Sequence, residues 1–495
     1  MQPVYQAVLR SWSIPPAATF AIALSAVIYL RGWWLLRSAG APFLRPWRAI
    51  SFLAGLFSLW VALASPMDVF NGFVLTAHML QHMVLMMVAP PLILLGAPLI
   101  PIVRGLPIFA AREFAGPFVN WSVAQKVGNT LTNPVCALLL MGVAMFAWHT
   151  PRLYELALRS STWHQVEHAC FFLTSLIFWW PVVQPWPSRT QWPRWAMVPY
   201  LLIADLQNTA LSAILCFSDR VLYPSYSTSP RLFGFSALED QVAAGAIMWV
   251  MGSLAYIVPA IVIAVQCLSR KTTQPLPVTP RRRDPSLEEL GTRKIPFVPH
   301  FLQGRLTVKA VDAITFVVLF AIASLCFAGL LASGTSDDDN QVLRFKGTSG
   351  PFAVAVFALA GDLDVGPSQF SALVQDRNNE VLLDATVDLT ARPAGDAQGT
   401  TATARATHEG SENKLLQTAE LDLPSAGDWR LNIVVRRDAD VADFPLPLGV
   451  VKAEPQFEFP WGYLFVLMIT LLLVLVYALR HWSRTANPVA QSAAK

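Results

Sequence analysis

Long apolar runs constrain this chain more than any other feature of its sequence. An α-helix needs about 20 predominantly apolar residues to cross the hydrocarbon core of a bilayer. We read nine such spans in the sequence, at residues 17–36, 48–65, 71–90, 134–149, 162–183, 197–217, 237–266, 311–332 and 461–480. The fold class that they predict is an all-α polytopic membrane bundle with a seven-helix core, followed by two further transmembrane helices.

The composition agrees with a membrane location and argues against nucleic acid as a partner. Hydrophobic residues make up 54% of the chain and charged residues 14%, whereas charged residues make up about 25% of a typical soluble domain. The formal net charge is only +4, and we find no basic patch of the kind that binds nucleic acid. The five Cys all lie in apolar runs, so we expect no disulfide framework. The lipid membrane is therefore the predicted environment.

The distribution of Lys and Arg predicts the orientation of the chain, because cytoplasmic loops carry an excess of these residues. Basic residues follow the first, third, fifth and seventh spans, and the densest group lies in the Pro-rich segment 269–310. These connections alternate along the chain as cytoplasmic loops should. We therefore expect the N-terminus and segment 333–460 to be extracytoplasmic and the C-terminus to be cytoplasmic.

The segment between the last two spans has a different pattern from the rest of the chain. Its short runs of alternating apolar and polar residues, separated by turn-forming residues, predict a small antiparallel β-sandwich. The segment contains no Met and no Cys, and its one His is His408. Because it lacks soft metal ligands, we expect it to dock or to shield rather than to carry metal. The predicted strands have the sequences QVLRFKG, FAVAVFALA, QFSALVQD, VLLDATVDLT, TTATARATH, LLQTAELDL, DWRLNIVVRR and PLGVVKAE.

These patterns divide the chain into five parts. The parts are a seven-span membrane domain at 1–268, a basic Pro-rich linker at 269–310, a transmembrane helix at 311–332, an extracytoplasmic β-sandwich domain at 333–460, and a transmembrane helix with a short cytoplasmic tail at 461–495. Within the first part, the third span continues as PPLILLGAPLIPIV. We expect its helix to break or kink at Pro90–Pro91, because proline lacks an amide hydrogen.

Five of the eight His of the chain occur in the first five spans, and four of them form two pairs. His78 with His82, and His164 with His168, are spaced i, i+4, which places both imidazoles of a pair on one face of a helix. His149 ends the fourth span. In the predicted orientation all five lie toward the extracytoplasmic face at a common depth. Ionisable residues inside membrane spans are costly and usually functional, so we predict that these histidines form a metal site.

The neighbouring residues favour copper as the metal. Met79 and Met83 adjoin the first His pair, and thioether together with imidazole suits copper, Cu(I) especially. We treat both as weaker candidate ligands, and we expect the Met residues as a group to face lipid. Asp240, near the start of the seventh span, is predicted to orient a ligating His through its carboxylate. Glu167 lies within the second His pair but is expected to face another direction, which makes it a weaker candidate ligand than the two His.

Three other interpretations of the histidines are compatible with the sequence. Two His from different helices, for example His82 and His168, would be able to ligate haem from its two sides. A copper permease would need polar residues that continue through the membrane, and only Asp205, Gln207 and Asn208 suggest such a path. A scaffold without metal would use the imidazoles to brace one helix against another.

The segments that carry these residues resemble a known protein family. The signature segments of the CtaG family, seven-span bacterial proteins linked to assembly of caa-type cytochrome c oxidase, are similar to HMLQHMVLMMVAPPLILLGAP, WHTPRLYELAL, WHQVEHACFFLTSLIFWWP and DQVAAGAIMW. The resemblance covers about residues 15–268. The recurring polar positions of the family correspond here to His78, His82, His149, His164, His168, Asp240 and Gln241.

The resemblance implies a function for the chain. The implied protein is a copper-handling assembly factor of the bacterial inner membrane, which holds copper at an extracytoplasmic His site for delivery to a respiratory oxidase, without catalytic turnover. The implied cofactor is copper, with haem as the alternative that the residues leave open. The implied partners are nascent cytochrome c oxidase subunits and a periplasmic copper donor. The C-terminal extension weakly resembles the FixH-like domains found in oxidase assembly.

Overall fold

The computed structural model describes residues 2–38, 45–107, 122–185, 192–269, 341–359, 363–394 and 401–451. The helices occupy the first four of these ranges and the strands occupy the last three. The predicted spans 311–332 and 461–480 lie outside the described residues, as does the linker beyond residue 269.

The helical part is a membrane bundle, as the sequence predicts. In the described residues, six helices are long and apolar enough to cross a membrane, and a bent helix pair is a seventh candidate. These coincide with the seven spans that are predicted before residue 269. The helices are α1 Gln2–Arg10, α2 Pro16–Ser38, α3 Pro46–Ala64, α4 Pro66–Val69, α5 Leu75–Met83, α6 Ala89–Leu95, α7 Leu99–Gly105, α8 Ser122–Leu131, α9 Pro134–Trp148, α10 Pro151–Arg159, α11 Ser161–Val183, α12 Met197–Phe217, α13 Pro224–Thr228 and α14 Ala237–Ser269.

The third span does not break at its proline pair, although the predicted irregularity is present as a change from α to π geometry just before the pair. α5 continues through a π-helical turn at Val84–Val88 directly into α6. Pro90 and Pro91 fall in the first turn of α6, where a missing amide hydrogen costs little. Trp179 donates its indole N–H to a carbonyl oxygen of the π turn at 3.0 Å. Such turns are rare and frequently lie at functional sites, and this one begins two residues after His82.

The fourth span is bent. α9 and α10 meet at an angle of 71°. Pro151 begins α10, and because the residue before a proline avoids helical geometry, Thr150 is extended with a ψ of 137°. The bend leaves His149 directly after the last residue of α9, with its side chain buried in the bundle.

Close packing of α2 against α7 depends on two glycines. A Cβ atom built on Gly32 would lie 1.7 Å from the carbonyl oxygen of Pro101, and one built on Gly105 would lie 1.8 Å from that of Ile28. A backbone oxygen cannot move aside as a flexible side chain can. The two helices therefore touch through their backbones, and only glycine fits at these positions.

The C-terminal part forms a two-sheet β-sandwich, as the sequence predicts. Its strands are β1 Gln341–Ser349, β2 Phe352–Leu359, β3 Leu363–Asp364, β4 Gly366–Gln375, β5 Thr386–Pro393, β6 Ala402–Arg405, β7 Gln417–Leu423, β8 Gly427–Arg437 and β9 Asp440–Val451. One sheet has the order β1-β2-β4-β7 and the other β3-β9-β8-β5-β6. β3, which the sequence pattern does not predict, pairs with β9 in parallel, whereas the other pairs are antiparallel.

This β-domain packs against the end of the bundle that carries α1, α4 and the start of α5. Successive side chains of a strand point to opposite faces of the sheet. In β2, Val354 and Val356 belong to the core of the sandwich, whereas Ala355 and Phe357 pack against residues of the bundle. Phe357 meets Phe73 edge to face, with ring centroids 5.5 Å apart. Both faces of this strand are therefore covered, which explains its nearly continuous apolar sequence.

Two hydrogen bonds reinforce the apolar contact between the β-domain and the bundle. Gln375 Nε2 donates to the carbonyl oxygen of Arg231 at 2.7 Å. The backbone amide of Lys414 donates to Ser11 Oγ at 3.0 Å. The β-domain thus docks on its own membrane domain through side chains of both parts.

We expect Gly32→Ala to destabilise the protein, because a methyl group has no room between the backbones of α2 and α7. Overpacking of a tight interior typically costs about 1–3 kcal/mol. Thermal unfolding in detergent, followed by circular dichroism, measures the effect. Gly72→Ala is the control, since a Cβ there meets nothing within 4 Å. Equal melting temperatures for the two variants would contradict the backbone contact.

Candidate metal centre

Four histidines from two helices converge in the interior of the bundle. α5 supplies His78 and His82, and α11 supplies His164 and His168. The four candidate ligand nitrogens all lie within 4.8 Å of one another. The i, i+4 spacing puts each pair on one face of its helix, and the two faces are turned toward each other. We call these residues the histidine cluster; that it binds a metal stays a prediction.

The imidazoles of the histidine cluster are close enough to share an ion. His78 Nε2 and His82 Nε2 are 3.0 Å apart, a separation that suits two nitrogen ligands at about 2.0–2.1 Å from one ion. The ring centroids of His78 and His164 are 5.1 Å apart, and those of His82 and His168 are 5.4 Å apart. His78 and His82 are fully buried, so an ion held between them would be shielded from bulk water.

Glu167 lies inside the histidine cluster, so the prediction that it faces another direction is wrong. Its carboxylate oxygens lie 3.7 Å from His78 Nε2 and 4.0 Å from His82 Nε2, and its side chain is fully buried. The reason is the helical spacing, because Glu167 is three positions after His164, and positions i+3 and i+4 share a face. Neither oxygen has a hydrogen-bond partner among the described residues. A carboxylate therefore belongs to the donor set.

His149 approaches the cluster from a third helix. Its Nδ1 lies 2.8 Å from the carbonyl oxygen of Met145, and since a carbonyl only accepts, Nδ1 carries the proton. Nε2 therefore carries the lone pair, and it is buried without a partner among the described residues. The ring centroid lies 6.4 Å from that of His82. His149 thus stands beside the cluster with a nitrogen that is able to ligate.

Tyr226 covers His78 on the side of Asn71. Its hydroxyl donates to the carbonyl oxygen of Asn71 at 2.6 Å and lies 3.3 Å from His78 Nδ1. With its proton given to Asn71, the hydroxyl oxygen accepts from His78 Nδ1, which leaves Nε2 of that ring unprotonated and able to bind metal. Burial raises the pKa of the Tyr226 phenol, so it stays a neutral hydroxyl. Tyr154 packs beside it, with the two hydroxyls 3.2 Å apart.

Asp240 holds the helix that carries the first His pair and not an imidazole ring, which corrects its predicted role. Its carboxylate accepts from the backbone amides of Leu75 and Thr76 at 2.7 and 3.1 Å and from Thr76 Oγ1 at 2.6 Å. The first amides of a helix have no partner within the helix, and the helix dipole favours a carboxylate beside them. Asp240 therefore fixes the start of α5 against α14.

The methionines next to the first His pair are buried in the bundle, so the expectation that they face lipid is wrong. Met79 is 0% exposed and Met83 is 2% exposed, and both belong to the helical core. Each follows a His by one position, which turns its side chain about 100° around the helix from that His. Their role as ligands stays a prediction.

Other polar residues of the spans join helices to each other. Ser253 Oγ donates to Asp205 at 2.7 Å, and Asn208 Nδ2 donates to the carbonyl oxygen of Met248 at 3.1 Å, so both contacts tie α12 to α14. Gln241 accepts from the amide of a loop residue at 2.7 Å. Hydrogen bonding between helices is common in membrane proteins, and it accounts for these contacts of Asp205 and Asn208.

The centre contains several buried polar atoms without partners. Native proteins leave few such atoms unpaired, and each exception needs an explanation such as an ion. An ion bound among these atoms would satisfy several of them at once, so the donor set fits a metal. Among the described residues, the unpaired atoms at this centre are His82 Nδ1, His149 Nε2, His164 Nε2, His168 Nε2 and both carboxylate oxygens of Glu167.

Sequence reasoning missed three groups around the histidines. The HQVEH spacing does predict the position of Glu167, because residues i and i+3 lie on the same face of a helix. Gln81 lies within the first His pair and is fully buried, with its Nε2 donating to Asp68 at 2.6 Å. Tyr226 lies in the short helix α13 between two spans, and nothing in its local sequence distinguishes it. Only the folded structure shows that Tyr226 lies beside His78, which is distant from it in the sequence.

We expect Asp240→Asn to lower thermal stability while the metal content stays that of the unsubstituted protein. The amide offers one acceptor oxygen instead of two, so a contact to Leu75 or Thr76 is lost. Loss of a helix cap typically costs about 0.5–2 kcal/mol. Melting curves in detergent and metal analysis after loading measure the two quantities. Weaker metal binding at an unchanged melting temperature would instead show that Asp240 acts on a ligand.

Comparison with known proteins places the helical part in a family. A family model described as cytochrome c oxidase caa3 assembly factor matches residues 27–270. An uncharacterized protein of Mycobacterium bovis is 23% identical over 276 residues, 53% of this chain and 40% of that protein. One of Mycobacterium leprae is 24% identical over 245 residues, 48% of this chain and 36% of that protein.

These alignments cover less than half of each relative's own length. No solved structure matches the chain. The family match contains every histidine of the candidate centre together with Asp240. Through residues 27–270, this chain belongs to the cytochrome c oxidase caa3 assembly factor family.

Proposed function

We propose that this protein binds copper at the histidine cluster and supplies it to a cytochrome c oxidase while that enzyme is assembled. The observation that carries the proposal is the set of four imidazoles whose nitrogens lie within 4.8 Å of one another, with Glu167 among them. Family membership supports an oxidase as the recipient. In this proposal the chain is a carrier, and the copper donor and the nascent oxidase subunits are its partners.

The donor set supports copper over other metals. A site of nitrogen and oxygen donors binds Cu²⁺ more tightly than the other divalent metals of the first transition row. The carboxylate of Glu167 also offsets part of the positive charge of an ion in the apolar interior, where an uncompensated charge is very costly. The thioethers of Met79 and Met83 would add affinity for Cu(I) if either side chain turned toward the cluster.

Haem and a metal-free scaffold fit these residues less well. Axial ligation of haem needs two imidazoles on opposite sides of a flat macrocycle. The rings of His82 and His168 have centroids 5.4 Å apart, and His78 lies 4.4 Å from His82, so other rings occupy the space that a porphyrin needs. Histidines that served as braces would have hydrogen-bond partners, and several of these nitrogens have none among the described residues.

A copper permease is also less well supported than a carrier. Two of the three mid-span polar residues that would continue a path, Asp205 and Asn208, form hydrogen bonds between α12 and α14. The cluster itself lies close to one end of the bundle, next to the contact with the β-domain. A site at one end suits receipt and release of copper on the same side.

We expect the double variant His78→Ala with His82→Ala to lose its bound copper, and His164→Ala with His168→Ala to lose it as well. Each variant removes two of the four nitrogens. Because ligands of one ion act as a set, either pair should cost nearly as much as both together. Copper per purified protein after loading, and active oxidase in cells that carry each variant, measure the effect.

Asn208→Ala is the matched control for the two double variants. Asn208 is fully buried in the same bundle and makes one hydrogen bond between helices, outside the histidine cluster. We expect this variant to be less stable but to keep its full copper content. Full copper content and full oxidase activity in both double variants would show that the histidines only brace helices.

The orientation in the bacterial inner membrane is a further part of this proposal. The basic linker predicts a cytoplasmic position for residues 269–310 and an extracytoplasmic one for the β-domain. We expect Ala439→Cys, in the exposed turn between β8 and β9, to react with a membrane-impermeant thiol reagent in intact cells. Arg282→Cys should not react, and the unsubstituted protein controls for the native Cys. Reversed labelling would place the cluster on the cytoplasmic side.

A further inference from the structure

A cavity of about 400 Å³ lies between the β-domain and the bundle, beside the histidine cluster. Exposed residues at its edge, Gly72, Arg159 and Thr228, connect it to the surface. The β-domain contributes Glu412 and Phe357 to its wall. The wall combines the carboxylates of Asp68 and Glu412 and the guanidinium of Arg159 with amide, hydroxyl and apolar side chains, so it offers several oxygen atoms to a hydrated cation.

Tyr226 separates this cavity from the histidine cluster. Asn71 belongs to the cavity wall, and its carbonyl oxygen accepts from the Tyr226 hydroxyl at 2.6 Å. The same hydroxyl lies 3.3 Å from His78 Nδ1. A second connection runs through Gln81, whose Nε2 donates at 2.6 Å to Asp68, another residue of the wall. One side chain therefore stands between the cavity wall and the nearest imidazole.

The inner sides of the cluster are closed by buried residues. The ring of Phe171 lies 4.8 Å from that of His82 and 5.9 Å from that of His149. Below His82, the π turn of the third span packs against Trp179 in the helical core. Buried residues thus close the cluster on these sides, and Tyr226 covers His78 on the side of the cavity wall.

We infer that this cavity is the entrance by which copper reaches the histidine cluster, and that Tyr226 is the side chain that moves to admit it. The inference rests on the proposed function of the cluster. Rotation of the Tyr226 ring breaks its hydrogen bond to Asn71 and uncovers His78. Because the β-domain forms one wall of the cavity, the inference also gives that domain a part in copper uptake, although it has no soft ligands of its own.

Filling the cavity tests the inference. Gly72 lines it, and a Cβ there would meet nothing within 4 Å, so the side chain of Gly72→Trp would occupy the entrance. Cu²⁺ alone is added to the metal-free full-length protein. We expect the rate of copper uptake by this variant to be lower by a factor of about ten or more. The final copper content should equal that of the unsubstituted protein. Metal analysis after rapid desalting at successive times gives the rate.

A second variant distinguishes blocking of the cavity from an effect of the substitution on folding. Gly72→Cys adds a small side chain where space is open, and the same purified sample is compared before and after reaction with a bulky maleimide. Loading should be slow only after the reaction. The unsubstituted protein treated with maleimide controls for the native Cys. Gly449→Trp is the matched control for size, because Gly449 is an exposed position of β9 that also has nothing within 4 Å.

Tyr226→Phe tests the inner end of the entrance. Loss of the hydroxyl removes the bond to Asn71, so copper loading and copper release should both become severalfold faster. If Gly72→Trp and maleimide-treated Gly72→Cys both load copper at the rate of the unsubstituted protein, the cavity is not the entrance, although the copper site itself would still stand. If the unsubstituted protein takes up no copper at all, the proposed function fails and the entrance with it. The two failures are therefore distinguishable.

Discussion

Burial of imidazole and carboxylate groups inside a membrane-spanning bundle constrains the rest of the helical structure. Polar groups without partners in an apolar interior are costly, so each ring needs contacts that satisfy or orient its nitrogens. The carbonyl of Met145 holds Nδ1 of His149, and Tyr226 holds Nδ1 of His78. Each contact leaves the opposite nitrogen of the ring with its lone pair. The protein thus sets the tautomers of these two rings with a backbone carbonyl and a phenol, which carry no charge into the bundle.

Departures from regular helix geometry concentrate around the same rings. A π turn begins two residues after His82, the fourth span bends by 71° next to His149, and the start of α5 is held by a carboxylate from α14. The π turn and the bend lie in the helical segments that carry the rings, directly beside His82 and His149. Natural proteins tend to break local rules where function requires it, and here the broken rules lie beside the candidate centre.

The sequence predicts the parts of this structure that depend on periodicity. Apolar runs identify the spans, alternation identifies the strands, and the i, i+4 spacing brings His78 and His82 to one face. Predictions that depend on distant partners failed. The sequence predicts that Asp240 orients an imidazole ring, whereas its carboxylate contacts backbone amides that lie 164 and 165 positions away in the chain. The helical span continues past the proline pair, and Trp179, distant in the chain, donates a hydrogen bond to the π turn that precedes it. No local pattern contains either contact.

The docking of the β-domain and the geometry of the histidine cluster depend on the same short segment of chain. Phe73 packs against Phe357 of β2, and Asn71, two residues earlier, accepts from the hydroxyl that covers His78. Two residues after Phe73, the backbone amide of Leu75 donates a hydrogen bond to Asp240. A displacement of the β-domain would therefore act on the segment between Asn71 and Leu75, which also carries the hydrogen bond to the Tyr226 hydroxyl. The β-domain thus contacts the segment that carries Asn71 and lies beside the histidine cluster, although it has no Met or Cys of its own.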